Sequence, residues 1–228
     1  MAFMSAKRDA FTLAEVLITL GVIGVVAAMT LPILIQNYKK KEYATRVHKA
    51  YADLLQAIQL SEAENGPFEE WKCDGTGSQI TIDFVETYIK PYYAELKFCS
   101  EGSSSHVCGY PVSSVGANYI TNSGVGLSMR CIPPSSLYVI IDVNNSGNPN
   151  TLGTDAFYFN TLNDKKLLLP YAFDAHPTRE QILQGFIAGS YYVSCKKTKT
   201  EDSQPNRDGC TLLLYLDNWE FKDDYPWE

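Results

Sequence analysis

A charged leader that stops at Ala10 and an apolar run that lasts to Ile35 limit this chain more than any other feature. Lys7-Arg8-Asp9 stand before the boundary, and from Phe11 to Ile35 the only ionisable side chain is Glu15. At about 1.5 Å per helical residue, such a run is long enough to cross a hydrocarbon core roughly 30 Å thick. The chain is therefore expected to be inserted in a membrane near its start. A secretory signal peptide would have a shorter apolar core followed by a small-residue cleavage site. Here the segment continues past Ala27-Ala28 to Pro32 and into Gln36-Asn37-Tyr38-Lys39-Lys40-Lys41 without such a site, and the sharp change in polarity lies before it. A carboxylate in such a segment costs about 2.5–3.5 kcal/mol at mid-bilayer and less near an interface, so it is usually there for a partner.

Ala10-Phe11-Thr12-Leu13-Ala14-Glu15-Val16-Leu17 resembles the processing site of type IV prepilins and of the pseudopilins of type II secretion. In that family a prepilin peptidase cuts on the cytoplasmic side, just before the Phe, and methylates the new amino terminus. The resemblance implies a cut between Ala10 and Phe11, with Glu15 as the fifth residue of the mature chain. It also puts Pro32 where many pilins carry a helix-perturbing proline. Ala10 departs from the Gly that usually precedes the cut but keeps a small residue there, so cleavage is expected, with a slower rate.

The family topology implies a leader over 1–10, a transmembrane and assembly helix over 11–35, and an extracytoplasmic head over 36–228. The protein is then a single-pass protein of the inner (cytoplasmic) membrane, assembled into a periplasmic or cell-surface filament. The partners implied are prepilin peptidase, homologous pilin or pseudopilin subunits, the inner-membrane assembly machinery and membrane lipid.

Cys73, Cys99, Cys108, Cys131, Cys195 and Cys210 all fall in the head. An even number of cysteines outside the cytoplasm reads as disulfides, although six permit fifteen pairings. Cys195–Cys210 is the expected pair, because the loop between them is polar and turn-forming. No Cys-x-x-Cys pair supports zinc. Residues 65–228 hold 12 Lys and Arg against 20 Asp and Glu. Generic nucleic-acid binding, which rests on Lys and Arg, is not expected of such a surface. Lys196-Lys197-Lys199 reads as a solvated loop. Lys39-Lys40-Lys41 conflicts with the positive-inside rule, and Lys7 and Arg8 only partly balance it.

After Pro32 a helical spacing resumes at Tyr43, Val47, Ala50 or Tyr51, Leu54 and Ile58, which makes one apolar stripe. A helix from Phe11 to about Glu64 would measure roughly 80 Å, with Asn65-Gly66-Pro67 ending it. Gly21 and Gly24 thin its apolar half and would let neighbouring helices approach. A second helix is predicted over Asp83–Lys90, closed by Pro91. Strands are predicted over Asn118–Thr121, Leu137–Val143, Ala156–Leu162 and Lys166–Leu169, with Tyr191–Val193 also extended. Pro177-Thr178-Arg179-Glu180 opens a brief helix to about Phe186, and Thr211–Leu216 suits strand or helix. A long helix followed by strands implies an α+β fold, with an antiparallel sheet packed on the stripe. Pilin-like folds are similar.

Asp142, Asn144 and Asp155 offer oxygen ligands around a Gly-containing loop that would suit a hard cation such as Ca²⁺. Several pseudopilins carry a calcium loop, and this one is similar in composition without the Glu that completes an EF-hand. The same residues are turn formers, and a long hairpin turn is the reading that composition favours. No cofactor is required by the sequence; Ca²⁺ is the one candidate. Catalysis finds little support, because His48, His106 and His176 accompany no Gly-x-Ser-x-Gly elbow or His-Glu-x-x-His pair. Ser103-Ser104-Ser105-His106 lies in a Ser-rich loop that would seldom hold a nucleophile and its base in register. Gly75-Thr76-Gly77-Ser78 lacks the Lys of a phosphate loop.

The reading is a structural subunit, whether pilin, minor pilin or pseudopilin, of a type IV pilus or type II secretion-like filament. Phe11 and Glu15 would be its assembly contacts. The alternative is a monomeric, membrane-anchored binding domain, calcium-dependent if the loop binds the ion. An anchored hydrolase is the weakest reading.

Overall fold

A computed structural model describes residues 12–102, 108–161, 168–189, 191–196 and 207–227. Helix α1 spans Leu13–Asn65 and contains Pro32. Proline has no N–H to donate to the carbonyl four residues back, so Ala28 loses its usual partner, yet the helix continues. Gly66, at φ +80°, then ends the helix one residue beyond the expected Glu64.

The chain divides into two units, Met1–Lys41 and Glu42–Glu228. In the first unit the apolar side chains of α1 are exposed, Leu13 to 78%, Ile18 to 66% and Met29 to 69%. The helix is long and apolar enough to cross a membrane.

In the second unit the predicted stripe is buried: Tyr43, Val47, Ala50, Tyr51, Leu54, Ala57 and Ile58 all lie in the core. A six-stranded antiparallel sheet packs on it, in the sequential order β1 (Leu96–Glu101), β2 (Ala117–Thr121), β3 (Gly126–Ile132), β4 (Ser136–Asp142), β5 (Ala156–Thr161) and β6 (Leu168–Pro170). In β2 to β5 the odd-numbered residues face the helix, among them Leu127, Met129, Leu137, Val139, Ile141, Phe157 and Phe159, all fully buried. This is the period of two that a strand imposes. Tyr51 connects the two layers, lying 5.1 Å from the Phe159 ring and donating its hydroxyl to the Leu168 carbonyl at 2.9 Å.

Two strands of this sheet, β1 and β3, fall outside the predicted set. β3 alternates Leu127, Met129 and Cys131 with Ser128 and Arg130, but it starts at Gly126 and its polar face is covered too: Ser128 is buried and donates to Asn118 Oδ1 at 2.6 Å. β1 has a single buried residue, Leu96, so its conformation comes from pairing with β2. Helix α2 covers Ser78–Tyr88, starting five residues before the expected Asp83. The β-branched Ile80-Thr81-Ile82 resembles a strand locally, but burial of Thr81, Phe84 and Val85 at helical spacing decides it. Pro91 sits inside a following 3-10 turn, Lys90–Tyr92.

Helix α3 (Arg179–Gln184) begins at Thr178 with a capping box to Gln181, but Phe186 belongs to a strand. That strand, β7 (Phe186–Ala188), pairs with β8 (Tyr191–Val193) as a separate hairpin. Thr211–Leu216 resolves to helix: α4 is Cys210–Leu216, with residues 210–214 all buried. Of the predicted strand residues, Leu162, Lys166 and residue 167 lie outside the described residues.

Candidate functional site

Thr12-Leu13-Ala14-Glu15 closes the start of α1 with a capping box. The Glu15 amide donates to Thr12 Oγ1 at 3.2 Å, and Glu15 Oε2 accepts from both the Thr12 amide and the Thr12 hydroxyl at 2.9 Å. Two of the donors that a helix start leaves unpaired are thereby satisfied within the chain. The signal for this cap, Thr followed three residues later by Glu, is present in the sequence but coincides with the processing motif, which hides it. Glu15 Oε1 has no hydrogen bond among the described residues, so the carboxylate keeps one oxygen for another donor. Ala10 and Phe11 lie outside the described residues. Farther along, a β-carbon built on Gly21 or Gly24 would meet nothing within 4 Å, so none of the described residues uses the space they leave.

The head holds three disulfides, Cys73–Cys131, Cys99–Cys108 and Cys195–Cys210. The first joins the segment before α2 to β3, and the last joins the segment after β8 to α4. Around Cys195–Cys210 a group of contacts ties the loop between β4 and β5 to the chain's last residues. Tyr225 donates to the Gly153 carbonyl at 2.6 Å. The buried Arg207 guanidinium donates to the carbonyls of Leu152, Lys196 and Pro226 and to Thr154 Oγ1.

Asp142, at the end of β4, and Asp155, just before β5, bracket this loop and are both fully buried. Asp142 accepts from the backbone amides of Tyr110 at 2.8 Å and Asn144 at 3.2 Å, and of Asn145. Asp155 accepts from the amides of Asn150 at 2.8 Å and Thr151 at 2.6 Å. The Asn144 side-chain amide donates to Tyr43 Oη at 3.3 Å and to the Asn148 carbonyl at 3.1 Å, and also bonds Asp155. Burial, then the nearby Asp155 charge, pushes the Asp142 carboxyl up to about 7, and burial raises Asp155 as well. The loop is thus a hairpin connection whose backbone donors are collected by two carboxylates, and it also gathers all three residues predicted as ligands. Among the described residues, no group of three or more His, Cys, Asp or Glu is positioned to hold a metal.

His48 stacks on Trp219 at 4.8 Å, and His176 lies edge-on to Phe173 at 5.8 Å. Ser103–His106, Lys197 and Lys199 lie outside the described residues.

An exposed apolar helix with one carboxylate at its start, together with a disulfide-bonded α+β head, defines a membrane-anchored protein with a pilin-like fold. Residues 33–228 match the model of a family of unknown function (DUF6613), and the chain belongs to that family. Residues 5–31 match the prokaryotic N-terminal methylation motif. Prepilin peptidase-dependent protein D of Escherichia coli (strain K12) is 28% identical over 83 residues, which is 36% of this chain and 55% of that protein. The chain thus spans about half the length of this curated relative. No solved structure matches.

Proposed function

We propose that the chain is a structural subunit, a pilin, minor pilin or pseudopilin, of a type IV pilus or type II secretion-like filament. Prepilin peptidase would cut before Phe11, and the subunit would then join homologous subunits through the inner-membrane assembly machinery. The observation that carries this reading is the methylation motif coinciding with a lone carboxylate, one oxygen unused among the described residues, at the start of an exposed apolar helix. The E. coli relative, a prepilin peptidase-dependent protein by name, supports the processing step. No catalytic step belongs to this reading.

Cutting before Phe11 creates a positively charged amine beside unpaired helix amides, and both attract a carboxylate. Thr12 already occupies Glu15 Oε2, so Oε1 is the atom available to the amine of a neighbouring subunit. In a medium almost free of water such a pair fixes the axial register between helices, whereas a lone carboxylate is penalised. Glu15→Ala should leave leader cleavage and the disulfides intact and prevent or strongly reduce incorporation into filaments. Immunodetection in sheared fibres, beside mass spectrometry of the processed amino terminus, tests this. Normal incorporation would remove Glu15 from the mechanism, and a membrane-bound monomer with an intact leader would favour an anchored binding domain.

A further inference from the structure

The three disulfides of the head differ in their access to solvent. Cys73, Cys108, Cys131, Cys195 and Cys210 are each no more than 2% exposed, whereas Cys99 is exposed. The cause is local to β1. That strand stands first in the sheet order, so among the described residues it pairs along one edge alone, with β2. Phe98 lies opposite Tyr119 and Ser100 opposite Asn118, which leaves Cys99 as the extra residue of a β-bulge. A bulge bends its strand and re-aims the side chain it carries, and here that side chain is a half-cystine at the sheet edge.

Opening this bond also disturbs the head least. It closes a sequence separation of 9, against 15 and 58 for the other two, and a short loop restrains the unfolded chain least. The segment after Cys108 is held without it. The Tyr110 amide donates to Asp142 Oδ2 and the Val112 amide to Ser128 Oγ, both at 2.8 Å, and the Gly102 amide donates to the Gly116 carbonyl at 2.8 Å.

We propose that Cys99–Cys108 is a thiol-exchange site, where the Cys99 sulfur accepts a low-molecular-weight thiol while the other two disulfides stay closed. Exchange requires a thiolate to reach a disulfide sulfur, so access selects both the bond and the sulfur attacked. The thiolate attacks Cys99 Sγ and forms a mixed disulfide there. The Cys99–Cys108 bond breaks, its electron pair leaves on Cys108 Sγ, and that sulfur takes up a proton from water. The incoming sulfur is oxidised from thiolate to disulfide as Cys108 is reduced to thiol, so the step needs no further oxidant or reductant. The head would then carry a covalent thiol adduct at one surface position. This inference is independent of the filament reading, and either can fail without the other.

Reduced glutathione is the probe, added in excess to the full chain in detergent micelles without denaturant. Acid quenching at intervals, alkylation and unreduced peptide mapping follow each cysteine, and tryptophan emission follows the fold. The expected result is glutathione on Cys99 and alkylation of Cys108, at least tenfold faster than any opening of Cys73–Cys131 or Cys195–Cys210, with the emission unchanged. Opening of either buried disulfide at a comparable rate would overturn the proposal, as would glutathione on Cys108 in place of Cys99. Retention of all three bonds in the folded chain would overturn it too, and so would exchange that occurs only as the emission of the folded head is lost.

Discussion

Arg179 holds Asp217 through two nitrogens, Nε at 2.8 Å and Nη2 at 3.0 Å, and the Asp217 side chain is only 2% exposed. The remaining guanidinium edge reaches Asp224 through Nη1 at 2.6 Å and Nη2 at 2.5 Å. One planar cation therefore joins the start of α3 to the end of α4 and to the chain's last turn. Among the described residues, Arg179→Ala leaves a buried carboxylate with Lys222 as its one remaining ion-pair partner, at 3.5 Å, and should cost about 2–3 kcal/mol in urea unfolding followed by tryptophan fluorescence. Arg179→Lys should recover little of this, because a single ammonium cannot serve two carboxylates in a fork.

Asp142 gives the head an unusual pH dependence. Its carboxyl titrates near 7 in the folded chain and at an ordinary value near 3.8 when unfolded, so the folded state binds its proton more tightly. That contribution is complete below about pH 4 and is lost as pH rises towards 7, with a slope approaching about 1.4 kcal/mol per pH unit. In the presence of chelator, wild type should melt at falling temperature over this window, and Asp142→Asn should flatten the profile. An equally steep profile in the variant would place the titration elsewhere.

Gly153 sits at φ +77°, and a β-carbon there would collide with the Cys210 side chain. Gly153→Ala combines left-handed strain with overpacking against a disulfide, and a loss of about 2–4 kcal/mol is expected. Thermal melting would measure it, and a shift below about 1 kcal/mol would mean that the loop moves away freely.

The three disulfides should differ in how much they stabilise. In the chain-entropy account, the Cys73–Cys131 link, with its sequence separation of 58, contributes about 4 kcal/mol. Cys195–Cys210, separated by 15, contributes about 3 kcal/mol, and Cys99–Cys108, separated by 9, slightly less. Paired Cys→Ala variants compared by urea midpoint should follow that order.

The amino-acid order alone determined the features that depend on local or one-dimensional signals. The uncharged run from Phe11 to Ile35, broken only by Glu15, dictates a membrane-length helix because an isolated apolar segment satisfies its backbone in lipid only as a helix. The spacing from Tyr43 to Ile58 dictates which face of α1 the sheet covers, because an α-helix repeats every 3.6 residues. Strands β2, β4 and β5 carried their own β-branched and aromatic pattern. Tertiary structure decided the rest, where the deciding contacts are distant in sequence. β1 is a strand only because β2 pairs with it, and Ser78–Ile82 is helical only because Thr81, Phe84 and Val85 bury together. Choosing among fifteen cysteine pairings required the fold to bring Cys73 beside Cys131. The three ligand candidates could be read from their oxygen-bearing side chains. That Asp142 and Asp155 are fully buried and collect the amides of one loop depends on how that loop closes against Arg207 and Tyr225, which lie about fifty residues or more farther along the chain.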